Sequence, residues 1–189
     1  MKYSVLLFLL ATFAFQPSLD AKLFDSQIVT TTGDTINCKI NVRVNLFRSD
    51  LVDPLSCKKR IKIVNQAGKK VKYTTSEVKS FTIYGTSKGD MLFESQVVEN
   101  EPCFVHFIYD GQIKVYHYVV PHGYDGSPIY YYLVKSEQRD FLKLRPAKWR
   151  RQLVEYFPGV GFFKVEKEAQ NFKYEELLDL IKMYERTVS

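Results

Sequence analysis

The chain has 189 residues, with 27 Lys or Arg against 21 Asp or Glu, a net charge of +6. Hydrophobic residues make up 46% and aromatic ones 15%, ample apolar surface for one domain with a real core and too much for a disordered chain. None of the three cysteines forms a C-x-x-C spacing, which argues against dithiol redox chemistry.

Met1-Lys2-Tyr3-Ser4 precedes an apolar run from Val5 to Phe15, the n-region and h-region order of a secretory signal peptide. The run is too short for a spanning helix, which needs about 20 apolar residues. Gln16, Pro17 and Ser18 end it, and Ala21 is a suitable small residue for cleavage. Residues 1–21 are therefore read as a signal peptide, with an uncleaved N-terminal anchor as the rival. Residues 22–145 form a β-rich domain, and residues 146–189 a helical segment packed on it. This organisation makes the protein exported: periplasmic, in the cell envelope, or secreted.

Beyond the signal, Ile28 and Val29 begin a short strand turned by Thr31-Thr32-Gly33-Asp34. Ile36, Cys38, Ile40, Val42 and Val44 then alternate with polar residues, a strand with one face in the core and one in water. Ser49 to Ser56, with Asp53-Pro54, reads as a loop. Lys59–Asn65 and Lys70–Thr74 form a hairpin around Gln66-Ala67-Gly68, with Ile61, Ile63, Val71 and Tyr73 inward. Ser76-Glu77-Val78 reads as one helical turn before the strand Phe81–Tyr84, and Met91–Val98 follows after a break.

Phe104 to Val119 is a hairpin closed by Asp110-Gly111, a pair that favours a type I′ turn with positive φ at both central residues. A Gly- and Pro-containing loop from Pro121 to Pro128 leads to Ile129–Val134, and then to Phe141–Leu144. About nine or ten strands at this spacing predict an antiparallel meander of sandwich or barrel type. Helical periodicity takes over after Pro146, first in Ala147–Phe157. Lys173–Thr187 follows, with Leu177, Leu178, Ile181 and Tyr184 on one face. Its Glu175 and Glu176 at the start and Lys182 and Arg186 at the end suit the helix dipole. Pro158–Glu168 reads as a further short helix. The fold class is α+β: a mainly antiparallel β-meander with two or three C-terminal helices.

Gly33-Asp34-Thr35-Ile36-Asn37-Cys38-Lys39-Ile40, the lysine-rich hairpin after it, and Tyr73-Thr74-Thr75-Ser76-Glu77-Val78-Lys79-Ser80-Phe81 resemble segments of the exported β-rich proteins common in Bacteroidota. The C-terminal helix ending Tyr184-Glu185-Arg186 is similar too. Cys38 stands where that family often has Gly. The resemblance implies export and fold and carries no activity.

Candidate chemistry is sparse. Alternation puts Lys39, Arg43, Arg60, Lys62, Lys70 and Lys72 on the solvent side of three consecutive strands. Six cations on one face would attract an anionic glycan, a phosphorylated lipid or an anionic membrane through a salt-sensitive field, outside the compartment of nucleic acid. The alternative is a solvated face whose lysines discourage edge pairing. In the Asp110-Gly111 hairpin His106 falls opposite Val115 and His117 opposite Phe104. The two imidazoles are then diagonal neighbours about 7 to 8 Å apart, but their apolar surroundings favour buried neutral histidines over a metal site with His122. The His122–Ser127 loop holds His, Asp and Ser without triad spacing. Tyr116, Tyr118, Tyr124 and Tyr130-Tyr131-Tyr132 are a tyrosine group of the kind that stacks on sugars, although alternation sends half of them to the core.

Cys38 and Cys57 fall near adjacent strands and are candidates for a disulfide, with burial as small apolar side chains the other reading. No catalytic motif, cofactor motif or metal-ligand spacing is present. The sequence thus favours a non-enzymatic binding or envelope-structural protein engaging an anionic glycan, a lipid or an envelope protein. A hydrolase of envelope polymers, or a subunit of a surface assembly, is the alternative.

Overall fold

The computed structural model describes residues 21–45, 47–137, 139–157 and 173–188. The expected signal peptide up to residue 20 and the short helix over 158–168 lie outside the described residues. Eleven strands form one antiparallel sheet: β1 (Ala21–Thr30), β2 (Thr35–Asn45), β3 (Arg48–Val52), β4 (Arg60–Val64), β5 (Lys70–Thr74), β6 (Val78–Thr86), β7 (Gly89–Val98), β8 (Glu101–Tyr109), β9 (Ile113–Pro121), β10 (Pro128–Ser136) and β11 (Arg139–Leu144). Two α-helices follow among the described residues, α1 (Trp149–Tyr156) and α2 (Leu177–Val188). The spatial order is β11-β10-β9-β8-β7-β6-β1-β2-β4-β5, with β3 beside β2. From β6 onward the chain is a plain meander, and β1 is inserted between β6 and β2. The α+β class read from the sequence is the observed one.

Several local readings need correction. β1 starts at Ala21, not Ile28, because its inward positions are Phe24, Ser26 and Ile28, and the buried Ser26 hides the alternation. Ser26 tolerates burial by donating its hydroxyl to the carbonyl of Phe24 at 3.0 Å. The stretch read as a loop holds β3 and a 3₁₀ turn, Pro54–Cys57, whose first turn is capped by Asp53 accepting from the Leu55 amide. Thr75–Glu77 is a turn rather than helix. It is held by the Glu77 carboxylate, which accepts from both the amide and hydroxyl of Thr74.

The β8–β9 hairpin departs furthest from expectation. Neither Asp110 nor Gly111 has positive φ, so the predicted type I′ turn is absent. Glu185 of α2 reaches into this turn instead, accepting from the buried Ile113 amide and from the Tyr109 hydroxyl, both at 2.7 Å. A Cβ on Gly111 would overlap both Glu185 carboxylate oxygens and the Tyr109 ring. The glycine therefore makes room for a tertiary contact and serves no backbone requirement. β8 carries one extra residue between Phe107 and Tyr109, a bulge that shifts the register. Positive φ at two successive positions occurs instead at Glu99 and Asn100, in the β7–β8 hairpin.

Three apolar clusters hold the sheet. The first takes inward residues from both ends of the span β4 to β8, Ile61 and Ile63 as well as Phe93 and Phe104. Within it Phe81 stacks on Phe93 at 4.8 Å and meets Phe104 edge-on at 5.0 Å. Each buried phenylalanine contributes about 2–3 kcal/mol. The span curls like a barrel until the Phe104 amide donates to the Lys58 carbonyl at 2.7 Å. The second cluster packs Trp149, Leu153, Leu177, Leu180 and Ile181 of the helical segment on Ile113, Val115, Val134 and Leu144. The third lies on the opposite face of β8–β10, with Cys103, Val105, Tyr116, Tyr118 and Leu133. The central strands β8 and β9 are thus covered on both faces.

Candidate functional site

β2 and β4 pair with Asn41 opposite Lys62, and β4 and β5 with Lys62 opposite Lys72 and Arg60 opposite Thr74. Odd-numbered residues of β2 and even-numbered residues of β4 face outward because Ile40, Val42, Ile61 and Ile63 face the core. On this outer face the 3₁₀ turn and the β9–β10 loop stand up beside the strands. Together they form a groove of about 960 Å³. Five cations line it, Arg43, Lys58, Lys59, Arg60 and Lys62, against one carboxylate, Glu101.

Three of the six cations singled out in the sequence, Arg43, Arg60 and Lys62, share this groove. Lys72 is the cross-strand neighbour of Lys62. Lys39 is paired with Asp25 at 2.9 Å, and Lys70 lies opposite Val64 on the edge strand. Of these five, Arg43 pairs at 3.4 Å with Asp53, which does not line the groove, and Lys59 pairs with Glu101 at 3.4 Å. Arg60 and Lys62 have no carboxylate at ion-pair distance among the described residues. Lys58 donates to the Tyr118 hydroxyl at 3.1 Å with its ammonium 4.4 Å from that ring's centre, and burial pushes it below the ordinary lysine value. Lys58 and Lys59 were missed because Lys58 precedes the expected strand Lys59–Asn65 and alternation with the inward Ile61 and Ile63 turns Lys59 away from the solvent face. The run Lys58-Lys59-Arg60-Ile61-Lys62 was their signal.

The bulge in β8 makes His106 and His117 direct cross-strand partners, their ring centres 5.9 Å apart, in place of the expected diagonal pair. Burial holds both at about 4, so they are neutral near pH 7. His122 lies in the exposed β9–β10 loop. There the Asp125 carboxylate accepts from the Ser127 amide at 3.0 Å and the Ser127 hydroxyl at 2.8 Å, and lies 3.1 Å from His122 Nδ1. The carboxylate is the hub of this loop. Its serine hydroxyl is bonded to aspartate and not to imidazole, so the loop lacks the base-activated hydroxyl of a triad.

Cys38, Cys57 and Cys103 are free and buried, with no Cys38–Cys57 bridge formed. Cys38 and Cys57 each fill a place in the first core cluster. Burial raises the thiols to about 11, 12 and 11 respectively.

The tyrosines divide by parity. Tyr116 and Tyr118 lie in the third cluster with Tyr131 packed against it, and Lys143 extends its ammonium over Tyr118 and Tyr131 at 5.3 and 4.6 Å. Tyr124 stands in solvent in its loop, 95% exposed. Tyr130 and Tyr132 face the other way, beside His117. Comparison with protein-family models, curated proteins and solved structures finds no match.

Proposed function

We propose that the protein is a non-enzymatic binding or envelope-structural module that holds a polyanion in the basic groove of β2, β4 and the 3₁₀ turn. One observation supports it: five cations face one carboxylate in a single concavity, with Arg60 and Lys62 unneutralised. A groove of one sign with low-dielectric walls concentrates counter-charge more than a flat face does. The shared chemistry of the ligand is repeated phosphate or carboxylate groups, as on an acidic glycan or a phosphorylated lipid. The signal-like N-terminus and the resemblance to exported β-rich proteins place that ligand, in this reading, in the cell envelope.

The test is retention of the domain on anionic and neutral glycan or lipid surfaces across a salt series. Retention on anionic surfaces alone is expected, lost as the Debye length falls toward about 3 Å at about 1 M salt. It is lost too in the variant Arg60→Gln with Lys62→Gln. Retention that survives salt, or that survives the double variant, refutes the groove as the binding surface.

A further inference from the structure

On the helix side of the sheet a second concavity of about 310 Å³ has Lys88, His117, Tyr130, Tyr132, Tyr174 and Glu175 in its lining, along with Tyr131, whose side chain packs against the third cluster. Four rings wall it. His117 lies 4.7 Å from Tyr132 and 6.0 Å from Tyr130, and Tyr132 meets Tyr174 edge-on at 5.2 Å. Two hydroxyls are committed to holding the wall. That of Tyr174 accepts from the Tyr132 amide at 2.8 Å and donates to the Leu144 carbonyl at 2.9 Å, bridging β10 and β11. That of Tyr132 donates to the Glu175 carbonyl at 3.3 Å. The imidazole of His117 and the hydroxyl of Tyr130 have no hydrogen-bond partner among the described residues, and neither Lys88 nor Glu175 has an ion-pair partner there.

We propose that this cleft is a carbohydrate subsite that takes one neutral pyranose ring. The walls offer ring faces to a sugar's C–H face, and four unused polar groups stand around them to meet hydroxyls that both donate and accept. The charges argue against the other occupants. The Lys88 ammonium already lies over the Tyr130 ring at 5.8 Å, where a quaternary ammonium ligand would need to sit. Glu175 opposes an anion. A wholly apolar ligand would strip water from the imidazole, phenol, ammonium and carboxylate and return no hydrogen bond to any of them. A polyhydroxylated ring without net charge answers all four groups. The site is separate from the basic groove and does not depend on it.

The chain's one tryptophan, Trp149, lies 6.4 Å from Tyr174, so its fluorescence reports on the cleft. The experiment titrates the protein with methyl pyranosides of glucose, galactose, mannose and N-acetylglucosamine, with choline and glucuronate as charged controls. Saturable quenching or enhancement by at least one neutral pyranoside is expected, unaffected by salt. Tyr130→Ala, at a position 39% exposed, weakens it at least about fivefold, as do Lys88→Gln and Glu175→Gln to smaller extents. The Arg60→Gln, Lys62→Gln variant binds the sugar as the parent does, which separates this site from the polyanion groove. No saturable response to any neutral pyranoside, a response unchanged by Tyr130→Ala, or tighter binding of choline or glucuronate overturns the proposal.

Discussion

Acid should unfold this protein through two histidines. His106 packs against Phe93 at 5.2 Å and His117 against Tyr132 at 4.7 Å, and the two rings face each other across β8 and β9. Burial is the main reason both are held near 4, helped by the nearby charge of Lys88 and, for His117, of His106. Unfolded, each titrates near 6.5. The folded values are the lower ones, so between pH 4 and 6.5 the unfolded chain binds more protons. The stability concerned is complete above about pH 6.5 and is lost as pH falls toward 4. Linkage gives about 2 kcal/mol per histidine at pH 5, or about 4 kcal/mol for the pair. That is a large part of the roughly 5–15 kcal/mol holding a typical domain. Urea denaturation at pH 7, 6 and 5 measures it, in a window above most carboxylate titrations. The parent is expected to lose about 4 kcal/mol from pH 7 to 5, and His106→Gln about 2 kcal/mol less. Equal pH dependence in the parent and in the His106→Gln, His117→Gln double variant would refute the reasoning, since both imidazoles would then titrate alike folded and unfolded.

The Glu185 contact gives two further expectations. Gly111→Ala displaces the carboxylate and leaves the buried Ile113 amide without its acceptor, lowering stability by about 1–3 kcal/mol in urea unfolding. Glu185→Ala does the same, and the two losses combine to much less than their sum because they break one contact; full additivity would show that Gly111 acts through something else. The thiols give a chemical test. With values of about 11 to 12, native Cys38, Cys57 and Cys103 should resist an alkylating reagent at pH 8, and all three should react in denaturant. Only one reactive thiol per denatured chain would establish a disulfide.

What could be read in the sequence was whatever local pattern decides. β2 announces itself by strict alternation from Ile36 to Val44, and the outward cations of β4 and β5 follow from the inward Ile61 and Ile63 of β4 and Val71 and Tyr73 of β5. The split of Tyr131 from Tyr130 and Tyr132 follows from the same two-residue period. What failed depended on distant partners. Asp110-Gly111 has the composition of a tight turn, yet its conformation is set by Glu185, more than 70 positions away in the chain. The bulge next to that turn then decides which residue faces His106. The groove likewise needs the curl that brings the 3₁₀ turn and the β9–β10 loop beside β4, and no periodicity encodes that curl.

The packing of α2 onto the β9–β10 face also sets an order of events during synthesis. The strands that carry Ile113, Val115, Val134 and Leu144 are translated before Leu177, Leu180 and Ile181, so the growing chain must pass through a stage with that face bare. In the same interval the β8–β9 turn lacks the carboxylate that accepts from the Ile113 amide. Contacts so distant in sequence form late and slow a domain's folding. The half-made sheet is therefore a substrate for holding factors and a hazard for aggregation until α2 has emerged from the ribosome.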